Sequence, residues 1–133
     1  MRYGFMKVAA AVPFVKVADC EYNIERIDRM VHEADTKGVE IMTFPELSIT
    51  GYSCGDLFFQ PFLQERANEA LCRLVEQTAN TTVMVIVGMP LRVEEKLFNS
   101  AVVFQQGKIL GAIPKTYLPN YREFQEARWF SPA

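Results

Sequence analysis

The chain has 133 residues, half of them apolar, and carries a net charge of −2 with acidic and basic residues interspersed. That is long enough for one domain with its own core, too apolar for disorder, and free of the basic bias of a nucleic-acid or anionic-membrane binder. Three cysteines, an odd number with no C-x-x-C pair, argue against a disulfide framework or a zinc site and point to a reducing cytoplasm.

The N-terminal stretch MRYGFMKVAAAVPFVKVAD resembles a leader peptide, but Lys7 and Lys16 interrupt it, and KVAAAV (7–12) reads as a buried strand. Asp19 is placed to N-cap a helix in which Ile24, Ile27, Val31 and Ala34 recur at helical spacing, and Gly38 ends it. VEIMTF (39–44) is continuously apolar, as in a parallel strand buried on both faces. Strand, helix and strand together make one βαβ unit. Pro61 opens a second helix with the stripe Phe62, Ala67, Ala70, Leu71, Leu74 and Val75, and Asn80 stops it. VMVIVG (83–88) is a third strand, and SAVVFQ and KILGAIPK flank Gln106-Gly107 as a hairpin. No apolar run, VMVIVGMPL included, approaches the roughly 20 residues of a membrane-spanning helix. The order β-α-β-α-β-hairpin predicts an α/β layered sheet. No last helix or strand closes it, so a piece of a larger domain is expected.

Two charges stand out. Glu46 follows Pro45 at the carboxyl end of the second strand, the edge where open α/β sheets bind ligands. Flanked by apolar residues, it suits a general acid or base; the alternative is a solvated cap of the turn at Ser48–Gly51. Lys115 likewise follows a proline at a strand end, as an electrostatic donor to a developing oxyanion or as a surface lysine. The two could meet at one sheet edge. Cys72 falls on the apolar helix stripe, Cys20 sits beside a helix cap, and Cys54 has no cation nearby to stabilise a thiolate. The single histidine, His32, excludes a His-rich metal site, and the glycines form no phosphate-binding loop.

FPELSITGY and GAIPKTYLPNYREFQEARWFSP, joined by GMPLRVEEKLFNSAVVFQQGKILG, resemble the nitrilase (carbon–nitrogen hydrolase) superfamily, in order and spacing, from about Lys7 to the last residue. Within it, ELSITGYSCGDLF and LPNYREFQEARWF are similar to the glutaminase domains of bacterial glutamine-dependent NAD⁺ synthetases. The resemblance implies the N-terminal part of a four-layer α-β-β-α sandwich and a Glu-Lys-Cys triad. It matches Glu46 to the general base, Lys115 to the lysine that stabilises the tetrahedral oxyanion, and Tyr121 to a tyrosine that holds glutamine. It matches Glu126 to a second glutamate beside the triad, with Glu123 the weaker candidate, and places Tyr52 in the same pocket. In this reading the strand delivers Glu46 to a dry pocket walled by the Gly51-Tyr52 turn.

The family's nucleophilic cysteine follows the lysine on a later strand-to-helix turn, and Cys20, Cys54 and Cys72 do not match it. The resemblance therefore implies that residues 1–133 are the N-terminal portion of a glutaminase domain, truncated before the nucleophile and inactive alone. The implied partners are L-glutamine and, through a missing synthetase domain, deamido-NAD⁺. This portion would need no cofactor, ATP and Mg²⁺ belonging to the missing domain. Nucleic acid and membrane are not expected as partners, whereas exposed apolar sheet would favour self-association into a homo-oligomer. Two alternatives stay open: a stand-alone amidase or carbamoylase of the superfamily, and a non-catalytic α/β interaction module.

Overall fold

A computed structural model describes residues 3–133; Met1 and Arg2, the first residues of the leader-like stretch, lie outside the described residues. The apolar runs pair as expected into β1 (Val8–Ala10), β2 (Ile41–Thr43) and β3 (Met84–Val93), which lie parallel and side by side. β4 (Lys96–Gln105) and β5 (Lys108–Pro114) extend the sheet antiparallel, giving the order β1-β2-β3-β4-β5. Helices α1 (Cys20–Thr36) and α2 (Pro61–Gln77) are the two crossovers. Both crossovers step the same way across the sheet, and right-handed connections of that kind put both helices on one face.

The local signals act as the sequence implies. The Asp19 carboxylate caps α1 by accepting from the Tyr22 amide at 3.1 Å, and Pro61 occupies the first turn of α2, where its missing N–H costs nothing. Gln106 and Gly107 both have positive φ (50° and 80°), as a two-residue type I′ turn requires. The core is a single cluster in which Ile24, Ile27 and Val31 of α1 and Ala67, Leu71 and Leu74 of α2 meet Val85, Val87, Val102 and Phe104 of the sheet. The alternate residues Ile86, Ala101 and Val103 are only half-buried, and Ile113 on the edge strand is 65% exposed. The described residues thus form one helical layer on one sheet, two layers of the four implied by the family.

The bounds of four strands and the buried stripe of α2 differ from the sequence reading. β1 and β2 are shorter than 7–12 and 39–44, because only the residues that find ladder partners count as strand. β3 runs past Gly88 to Val93 and turns through Glu94-Glu95 into β4, a second hairpin that the polar turn residues concealed. On α2 the buried residues near its start are Leu63 and Gln64, whereas Phe62 is 67% exposed under the Arg66 guanidinium. No described helix is long and apolar enough to cross a membrane.

Candidate active site

β2 ends at Thr43, and the chain does not leave the sheet there. It runs on beside β3: the Phe44 amide donates to Ile86 O at 2.9 Å and the Ile49 amide to Gly88 O at 3.1 Å, while the Gly88 amide donates to Ser48 Oγ at 3.2 Å. The turn carrying Glu46 therefore lies flat on β3, and Gly88 makes room for it. A Cβ on Gly88 would meet Leu47 N at 2.2 Å and Glu46 C at 2.8 Å. Leu47 holds φ at +52° although it is buried and not glycine, a conformation that persists only where the surroundings enforce it. From below, the buried Asn23 of α1 accepts from Lys16 N and donates to Lys16 O and Ile49 O, tying this turn to the β1–α1 loop.

Lys115 comes from the far side of the sheet, just past β5, where its amide donates to Asn99 O at 2.8 Å. Its Nζ lies 2.9 and 3.1 Å from the two Glu46 oxygens and 3.1 and 3.3 Å from those of Glu126. Burial pulls the Lys115 ammonium down, but the hydrogen bonds it donates to Glu46 and Glu126 outweigh that and hold its pKa above the usual lysine value. It is therefore a permanent cation between two carboxylates.

Glu126 is the buried member, with 3% of its side chain exposed against 52% for Glu46. It opens a short 3₁₀ turn (Glu126–Arg128) and accepts from Tyr52 OH at 2.6 Å, Asn99 Nδ2 at 3.3 Å and Lys115. Burial first, then the Glu126 carboxylate, push the Tyr52 phenol above its usual range, so it stays a donor. Phe130 packs on Phe58 at 5.0 Å between ring centres. Asp56 accepts from Arg128 Nε at 2.8 Å, Arg128 Nη2 at 2.9 Å and Trp129 Nε1 at 3.0 Å, so the 3₁₀ turn is clamped from its outer side.

The structure thus brings Glu46, Lys115, Glu126 and Tyr52 into one hydrogen-bonded cluster. Tyr121 stands off it, 65% exposed, linked through Phe124: its ring is 5.8 Å from Phe124, and Phe124 is 6.5 Å from Tyr52. Glu123 is exposed. Within the described residues the expected dry pocket is not closed: Glu46, 52% exposed, lines an open groove of about 300 Å³ with Phe44, Gly88, Asn99, Ile113 and Lys115. The groove lies on the sheet face that carries no helix among the described residues, and the Gly51-Tyr52 turn contributes a hydroxyl to Glu126. Asn99 was not singled out from the sequence; the polar pair Asn99-Ser100 between Phe98 and the apolar run of β4 was the available signal.

The cysteines lie elsewhere. Cys54 is buried and its Sγ bonds Thr50 O and Gly51 O; burial first pushes its thiol up. Burial also pushes Cys20 up to about 11, and Cys72 is exposed on α2. Among the described residues no three His, Cys, Asp or Glu side chains gather as a metal-holding group.

Residues 7–131 match the carbon–nitrogen hydrolase family. The chain belongs to that family, and the Glu46–Lys115 pair lies in the groove at the sheet's carboxyl edge. It is 37% identical over 131 residues to the glutamine-dependent NAD(+) synthetase of Mycobacterium tuberculosis, covering 98% of this chain and 19% of the relative. The crystal structure of the glutamine-dependent NAD(+) synthetase from Cytophaga hutchinsonii superposes with a TM-score of 0.90 at 31% identity, over 96% of this chain and 22% of that one. An amidase from Nesterenkonia sp. superposes with a TM-score of 0.81 over all of this chain and 50% of its own, but at 20% identity it speaks for the fold alone. The chain spans about a fifth of the length of the curated relatives it matches.

Proposed function

We propose that this chain is the N-terminal portion of the glutaminase domain of a glutamine-dependent NAD⁺ synthetase, within a longer polypeptide that supplies the nucleophilic cysteine and the synthetase domain. The observation that carries the reading is the Lys115 ammonium held between the Glu46 and Glu126 carboxylates at the groove. The cysteine thiol gives its proton to Glu46 and the thiolate adds to the carboxamide carbon of L-glutamine. Lys115 turns an N–H to the oxyanion that forms. The proton on Glu46 passes to the nitrogen, the C–N bond breaks and ammonia leaves, and water then hydrolyses the cysteinyl thioester to glutamate. Glu126 keeps Lys115 in place throughout, because it is buried and bonded also by Tyr52. The ammonia amidates adenylated deamido-NAD⁺ in the synthetase domain, to which ATP and Mg²⁺ belong in this reading.

The test is Glu46→Gln and Lys115→Met in the full-length protein. Glutamine-dependent NAD⁺ formation should fall on the order of 10²–10⁴-fold for the base and roughly 10²–10³-fold for the oxyanion donor, while synthesis from added ammonia survives. Glutamine-dependent turnover persisting in both variants would make Glu46 a turn residue and Lys115 its counter-ion. Loss of the ammonia-dependent reaction in a folded variant would break the division of labour.

A further inference from the structure

Among the described residues two asparagines are buried, and they are used differently. Asn23, fully buried, bonds main-chain atoms only, at Lys16 and Ile49, as a structural staple does. Asn99, on β4 and 3% exposed, directs its carboxamide at side chains that the proposed chemistry uses. Its Nδ2 lies 3.2 Å from Glu46 Oε2 and 3.3 Å from Glu126 Oε1, one N–H for each carboxylate. Its main-chain oxygen accepts the Lys115 amide at 2.8 Å, a bond that extends the strand ladder and fixes where Lys115 starts. One residue in the middle of the sheet therefore touches Glu46 from the β2 side, Lys115 from the β5 side, and Glu126 from the C-terminal turn. The orientation of the amide follows from its neighbours: both are carboxylates, which accept and do not donate, so the nitrogen faces them.

From this juxtaposition we infer that Asn99 is a positioning residue of the glutamine-hydrolysing step, setting the separation of the two carboxylates between which Lys115 works; the inference rests on the function proposed above. The two N–H bonds of a planar amide diverge at a fixed angle, so they hold the carboxylates apart at a fixed spacing. Lys115 alone cannot do this. Its ammonium serves both carboxylates, and in the reaction it must turn an N–H away from them toward the oxyanion. At that moment Asn99 is the neutral donor that keeps Glu46 aimed and screens it from Glu126. Misplacement of a reacting group by about 1 Å can cost on the order of 10²-fold.

The experiment uses the full-length protein with Asn99→Leu, which keeps the branched shape and removes both donors, and Asn99→Asp, which adds a third carboxylate. Asn99→Leu should lower kcat with glutamine on the order of 10²-fold and leave KM for glutamine little changed, ammonia-dependent synthesis serving as the folding control. On a Glu46→Gln background it should add almost nothing, because groups acting as one unit are non-additive. Asn99→Asp faces Glu46, Glu126 and Lys115, with Tyr52 behind Glu126, and can donate only when protonated. Its kcat relative to the unsubstituted enzyme should therefore rise as pH is lowered, a trend that a packing defect would not produce. Should Asn99→Leu fail to fold, this pH ratio decides alone. Unchanged kcat in Asn99→Leu beside an inactive Glu46→Gln overturns the inference and leaves the glutaminase reading standing, as does a full additive loss in the double variant or a flat pH ratio. An active Glu46→Gln overturns both.

Discussion

Gly88→Ala is the perturbation that tests how Glu46 is placed. The new methyl would lie 2.2 Å from Leu47 N, 2.8 Å from Glu46 C and 2.9 Å from Glu46 Cα, all of them main-chain atoms that cannot rotate aside. The turn would have to retreat from β3 by roughly 1 Å to reach an ordinary contact. Retreat is opposed by the buried Leu47 and Ile49 side chains and would stretch the bonds between Ile49 N and Gly88 O and between Gly88 N and Ser48 Oγ. Overpacking of this kind costs about 1–3 kcal/mol. For a domain larger than these 133 residues each kcal/mol is worth about 2–4 °C, so Tm should fall by roughly 2–12 °C. The same shift carries Glu46 away from Lys115, and in the full-length protein glutamine-dependent turnover should drop on the order of 10²-fold. Gly111→Ala is the control: nothing lies within 4 Å of its would-be Cβ on exposed β5, so Tm should not fall. Melting curves by circular dichroism and coupled assays of NAD⁺ formation read both effects. If Gly88→Ala melts and turns over like the unsubstituted protein, close approach to β3 is not what places Glu46.

Three other outcomes are expected. Tyr121→Ala in the full-length protein should raise KM for glutamine more than KM for ammonia; equal effects would point to misfolding instead. Asp56 is held well below the usual carboxylate range, first by the Arg128 hydrogen bond and then by that from Trp129, so it binds fewer protons folded than unfolded. Its contribution is complete above the ordinary aspartate value near 4 and lost as pH falls further; Asp56→Asn should lower Tm at neutral pH, by a margin that shrinks below about pH 4, and a margin independent of pH would remove the clamp from the account. Cys72 is exposed, whereas Cys20 and Cys54 are buried with their thiols pushed up. Of these three, a native thiol titration with Ellman's reagent should therefore find Cys72 alone and denaturation should release the other two, rapid native labelling of Cys54 being the contrary result.

The sequence by itself determined what depends on near neighbours along the chain. Asp19 before a helical stripe, Pro61 at a first turn and Gln106-Gly107 between alternating runs each act within a few residues, and each appears in the structure where it was read. Glu46 and Lys115 were legible for a related reason: a proline before each marks the end of an apolar strand, and strand ends are where an α/β sheet presents charge. Their meeting is another matter. They are 69 residues apart and follow strands separated by β3 and β4, so only the accumulated sheet order and the run of the Glu46 turn along β3 bring them within 2.9 Å. Gly88 was read as the end of its strand; that it lies inside β3 and marks a close backbone approach emerged only with the structure. Asn99 had no local mark beyond its polarity, because its role exists only where three distant segments converge on β4. How far Glu46 is enclosed is likewise a tertiary matter: apolar flanks along the chain say that it leaves a core, while what packs on the helix-free face of the sheet decides how much of the groove stays open.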